Sequence, residues 1–160
     1  MLVVLLAAPM LIAVAPLVEQ RRGVYTPPVG SAERTAIIRT LKGDGDAGSR
    51  YTFKRFHVFR QRDRAISYVE GTGDMGGFQA ILTREGNMPW RMVWSEGDGG
   101  SDSCAAGARH YEWAVRLIQS YGIAPDTLFP GVAARTRELK RMTASEPETQ
   151  CVGDLDGGPQ

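Results

Sequence analysis

QAILTREGNMPWRMVWSEG, residues 79–97, carries two apolar runs on either side of a charged, glycine-containing turn. Phe78, Ala80 and Leu82 recur with the period of two that belongs to a strand. Gly86 and Asn87 suit the backbone angles of a tight turn. Trp90, Met92 and Trp94 then alternate with Arg91, Val93 and Ser95, so the spacing predicts a second strand with both indoles and Met92 on one face. The stretch reads as a β-hairpin. With Phe78 and Leu82 beside it, the face of Trp90, Met92 and Trp94 is either core or the wall of a ligand pocket. Each such side chain is worth about 1.5–3 kcal/mol when buried, which a small domain needs simply to fold.

Working outward, YTFKRFHVFRQ and AISYVEG are predicted as the two preceding strands, with RQRDR as the polar turn between them. The apolar phase changes between Phe53 and Phe56, which is what one extra residue does to a strand, so a bulge is expected near Lys54 and Arg55. Ahead of these, Ser31 is an N-cap, Ile37, Ile38 and Leu41 form one stripe, and Gly43 closes a helix over 32–42. After the hairpin, SEGDGGSDS reads as a loop without apolar residues. Ala114, Leu117, Ile118 and Tyr121 then fall at i, i+3, i+4 and i+7 of a second helix, which Gly122 and Pro125 terminate. Leu128 and Phe129 pack a short turn, and Val132, Thr136 and Leu139 mark one side of a last, basic helix. TASEPETQCVGDLDGGPQ reads as a flexible tail. The expected architecture is α+β: a four-stranded antiparallel sheet packed on one face against an N-terminal and a C-terminal helix, a cystatin- or NTF2-like layer.

At 160 residues the chain holds one domain, 31–130, with an export segment at 1–22, a Pro/Gly linker at 23–30, and the basic helix and tail at 131–160. A formal charge of +1 argues against wholesale binding to nucleic acid. MLVVLLAAPMLIAVAPLV has no charged side chain, the mark of a cleaved signal or of an uncleaved membrane anchor. No basic residue precedes it, Pro16 follows the small-residue site, and Arg21 and Arg22 weigh slightly against translocation. The expected location is periplasmic or secreted, with a tether to the inner membrane as the alternative. In an exported chain Cys104 and Cys151 are expected to pair, closing a loop of roughly 48 residues.

The segments GSAERTAIIRTLKG, YTFKRFHVF, AILTREGNMPWRMVWSEG and RLIQSYGIAPDTLFP, in that order, resemble a group of small exported bacterial proteins of uncharacterised function with a cystatin- or NTF2-like α+β domain. The likeness covers roughly residues 30–130. This chain departs from the pattern at Asn87–Pro89 and after Pro130. The resemblance implies export and a compact α+β domain, and it brings no catalytic residue with it.

Few chemistries survive the motif search. His57 and His110 are the two histidines. His57, on a strand with Phe56 and Val58 facing the other way, is the candidate imidazole for ligand contact; the bland alternative is a strand residue with a local hydrogen bond. His110 reads as a capping or surface residue at the start of the second helix. Neither HxxxH nor CxxC occurs, so no metal site is expected. GxSxG and GxxxxGK[ST] are missing, so a nucleophile elbow and a P-loop lack their entry signal, and no cofactor is expected. Counted from Asp44, the twelfth position is Arg55 where a calcium loop needs Glu, so the Asp/Gly clusters read as solvated turns. Arg135, Arg137, Lys140 and Arg141 read as a solvated helix face, or as a contact for anionic lipid or an acidic partner. The reading that results is a non-enzymatic envelope domain for a small molecule or protein, with His57, Trp90, Met92 and Trp94 as candidate ligand contacts. The rivals are an NTF2-like enzyme using His57 as acid or base, and a structural envelope protein.

Overall fold

Helix α1 (Ala32–Lys42) forms where the sequence places it: the Ser31 side chain accepts from the Arg34 N–H at 3.3 Å, and Gly43 ends the helix with positive φ. In the computed structural model, which describes residues 23–43 and 48–159, it is followed by β1 (Thr52–Gln61), β2 (Arg64–Gly73), β3 (Gly76–Glu85) and β4 (Arg91–Ser103). Then come α2 (Cys104–Ser120), α3 (Pro125–Leu128), α4 (Val132–Ser145) and β5 (Gln150–Gly157). The export segment at 1–22 and most of the Asp/Gly turn after α1 lie outside the described residues.

The sheet is α+β in class and antiparallel throughout, but it has five strands in the order β1-β2-β3-β4-β5 rather than four. Both corrections come from one event. The SEGDGGSDS segment expected as a loop extends β4, and the segment expected as a flexible tail returns as β5 to pair with it, Glu96 opposite Leu155 and Gly97 opposite Asp154. The pairing is interrupted between Gly97 and Asp102, where β4 makes an irregular excursion. Cys104 and Cys151 are disulfide-bonded, their Cα atoms 4.8 Å apart, and tie the first turn of α2 to β5.

The sheet is covered on both faces, not one. On the first face Ile37 of α1 packs with Phe56, Val58, Ala65, Val69, Ala80, Leu82 and Trp90. On the second, α2, α3 and α4 lay Ala114, Ile118, Leu128, Phe129, Val132 and Leu139 over Ile66, Tyr68, Ile81 and Trp94. Alternation along β2 and β3 distributes neighbouring side chains between the two cores, as the period of a strand requires. The bulge expected near Lys54 and Arg55 lies between Phe53 and Arg55, and it returns Phe53 to the side of Phe56.

A second bulge was not foreseen. Leu82 pairs with Met92 but Ile81 pairs with Trp94, so Val93 is an extra residue. Trp90, Met92 and Trp94 therefore do not share a face. Trp90 lies under α1, Trp94 lies in the opposite core, and Met92 remains 41% exposed. One inserted residue inverts the facing of everything after it.

The 23–30 segment is docked rather than loose. Tyr25 bridges Val58 at the outer edge of β1, with backbone N–H···O distances of 2.9 and 2.8 Å. The Tyr25 hydroxyl donates to Glu33 at 2.8 Å and accepts from Arg60 Nε at 2.7 Å. These bonds pin the entry of the chain at the Arg60 end of the strands.

Candidate functional site

At the opposite end of the sheet, beside the last turn of α1, the strands leave a cleft of about 510 Å³. Its apolar floor is Leu41, Tyr51, Phe78, Ala80 and Met92, and Met75 stands on its lip, 98% exposed. Phe78, Ala80 and Met92 share the α1-side face of β3 and β4, so the cleft continues that core where the helix stops. The rings of Tyr51 and Phe78 meet edge to face, 5.3 Å between centroids at 88°.

The glycine-rich run EGTGDMGG, residues 70–77, is what lets the cleft exist. A Cβ on Gly73 would lie 3.2 Å from the Tyr51 ring, and one on Gly77 would lie 2.6 Å from the Asp98 carboxylate, so side chains there would displace the cleft's own walls. The Gly77 N–H instead donates to Asp98 at 2.5 Å.

The electrostatics are one-sided. Among the described residues Asp74, Glu96, Asp98 and Asp154 line the cleft, and no Lys or Arg does. The Glu96 carboxylate is engaged elsewhere, accepting from the Tyr111 hydroxyl and from the Gly153 N–H. Asp74, Asp98 and Asp154 make no ion pair among the described residues. Nor do any three His, Cys, Asp or Glu side chains among the described residues come together as a metal site would require.

On the other face one rung of the sheet is polar across four strands: Arg55, Glu70, Gln79 and Glu96 lie opposite one another in register. Glu70 is pushed up by burial, but hydrogen bonds from Lys54 and Arg55 outweigh that and hold its carboxyl below the ordinary range. Tyr68 donates to Gln79 at 2.8 Å. Burial first, and Glu70 and Glu96 next, raise the Tyr68 and Tyr111 phenols well above their ordinary value. They stay protonated and serve as donors in a set of hydrogen bonds under the helices.

The residues singled out from sequence are scattered by the fold. Met92 lines the cleft. Trp90 and Trp94 are core on opposite faces, 4% and 0% exposed. His57 lies on the α2–α4 side, half-buried beside the Tyr68 ring, and its Nδ1–H donates to the Leu128 carbonyl at 2.8 Å. It secures α3 to β1 and is not part of the cleft. Of the basic helix, Arg135 pairs with Glu138 and donates to the Cys151 carbonyl at 2.6 Å, and Lys140 pairs with Glu112 at 2.8 Å. Tyr51, Asp74, Asp98 and Asp154 were missed; the glycine run was the signal, because small residues in a strand mark where another group must come close.

His110 is a further correction. It lies inside α2, 4% exposed, stacked on Trp94 at 4.8 Å, with Nε2–H donating to the Ser95 carbonyl at 3.0 Å. Burial lowers its pKa; Ser95, Glu96, Asp102 and Asp156 pull the other way without cancelling that. The unfolded chain therefore takes up this proton first, near pH 6.5. Stability from neutral His110 is complete above that pH and is lost as the pH falls towards the lower folded value. His110→Gln is expected to flatten this part of the slope. The check is the urea midpoint of both proteins from pH 7.5 to 5, and equal slopes would refute the assignment.

Compared with protein-family models, with curated proteins and with solved structures, the chain matches none.

Proposed function

We propose that this chain is an exported domain of the bacterial envelope that binds a small molecule in the Gly73–Gly77 cleft and carries out no chemistry on it. The observation that carries the reading is separation: the cleft of about 510 Å³ contains neither histidine, and both imidazoles are spent on backbone carbonyls elsewhere. A volume of several hundred Å³ with an apolar floor and a few polar groups is what small-ligand sites share. An enzyme of NTF2-like type would need His57 and a carboxylate in one pocket. A purely structural envelope protein would have no use for an open cleft lined by half-buried aromatic rings.

Export is supported by the charge-free run at the start of the sequence and by the Cys104–Cys151 bond, which suits an oxidising compartment. Among the described residues no helix is long and apolar enough to cross a membrane. Two measurements test the proposal. Protein recovered from its native host should show by intact mass the hydrogens lost to one disulfide; free thiols would overturn the envelope assignment. Amide spectra of the full chain, titrated with octyl-chain probes of different head charge, should show saturable shifts at Tyr51, Gly73, Phe78 and Met92 for at least one probe. No saturable shift at these residues with any of them would overturn the binding assignment.

A further inference from the structure

We infer that the ligand of this cleft is a hydrophobic organic cation: an alkylated ammonium group on an apolar body. This rests on the binding reading above and adds the chemistry of the ligand to it. The apolar part of the site is the floor of Leu41, Phe78, Ala80 and Met92, which offers a chain or ring no hydrogen-bonding partner to satisfy. The charge part is the rim. Asp74, Asp98 and Asp154 are exposed carboxylates around that floor, with no lining Lys or Arg among the described residues to neutralise them. An anion brought to this rim is repelled, and a neutral ligand gains no net-charge attraction from it.

Between floor and rim lies aromatic surface. Tyr51 and Phe78 line the cleft with aromatic rings, whose quadrupoles attract a cation and tolerate its alkyl groups, the combination used to recognise quaternary ammonium ions. A metal ion is the poorer fit. It needs several oxygens converging on one point, and the described carboxylates do not gather that way. A diffuse organic charge needs only their summed field, together with the rings and the floor.

The closing experiment uses three probes below their micelle concentrations: octyltrimethylammonium, octyl glucoside and octyl sulfate. The cation is expected to shift the cleft amides and to bind at least about tenfold tighter than the glucoside, with the sulfate weakest; added salt should narrow the gap between cation and glucoside. Asp74→Asn with Asp154→Asn should weaken the cation at least about fivefold and leave the glucoside within about twofold. Both positions are exposed, and Met92→Lys, also at an exposed position, provides an independent variant that should abolish the preference for the cation. Equal or tighter binding of the glucoside or the sulfate at the same residues would overturn the cation while leaving the cleft a binding site. Failure of all three probes would overturn both.

Discussion

Trp94→Ala is expected to remove about 4 kcal/mol of folding free energy, within the roughly 3–5 kcal/mol range for emptying a buried aromatic site. The indole is fully buried and central to the larger core. It stacks on His110 at 4.8 Å, meets Tyr111 edge-on at 5.3 Å and Phe129 at 5.5 Å, and its N–H donates to the His110 carbonyl at 3.2 Å. These partners come from α2 and from the end of α3, so the cavity would open where sheet and helices meet and where neither can collapse alone. A domain of this size has on the order of 5–15 kcal/mol in all, so the variant should be marginal at 37 °C. Met92→Ala, two residues away by sequence but 41% exposed, should lose under about 1 kcal/mol. Urea unfolding of both variants decides the matter. A Trp94→Ala loss no larger than that of Met92→Ala would mean the core is not built as described.

The second large effect belongs to the disulfide. Cys104 and Cys151 are 47 positions apart, and the loop they close contains α2, α3 and α4. Joining its ends restricts the unfolded chain by about 3–4 kcal/mol on the chain-entropy account. The folded state has further reasons to need the bond. β5 is an edge strand in which Val152 is the one buried side chain, and beyond the disulfide it is held by pairing with β4, by Arg135 on the Cys151 carbonyl, and by the Gly153 N–H on Glu96. Cys104→Ala with Cys151→Ala is therefore expected to lower the stability by about 3–4 kcal/mol, roughly 10 °C or more in Tm for a domain of this length. Amide exchange should show β5 opening first in the variant, while β1 to β3 stay protected. A loss under about 1 kcal/mol, with β5 still protected, would contradict this account.

Both effects explain what could be read in advance. Helix α1, three of the strands and the buried side of α4 are local patterns: a cap, a stripe, an alternation. Each needs only its neighbours in sequence to be recognised. β5 shows no such pattern, since QCVGDLDG has few apolar residues and an edge strand leaves many positions in water. Its partner region in β4 is similarly bare. Backbone pairing and a covalent bond form this part of the sheet, and neither leaves an alternation to find. The cleft was legible only as glycines, because the walls that come close to them, Tyr51 just before β1 and Asp98 in β4, lie far off in the sequence.

The amino-acid sequence by itself determined the α+β class, the hairpin at 79–95, the bulge in β1, the limits of α1 and the candidate cysteine pair, because these depend on local periodicity and residue chemistry. Tertiary structure alone decided that helices cover both faces, that the chain returns to add a fifth strand, and that Trp90 and Trp94 part company across the sheet. The physical reason is that facing depends on a count that one extra residue at Val93 inverts. Whether that residue bulges out or shifts the register is settled by which core has room for the indole, and that room is made by helices found ten to forty-five residues further along the chain.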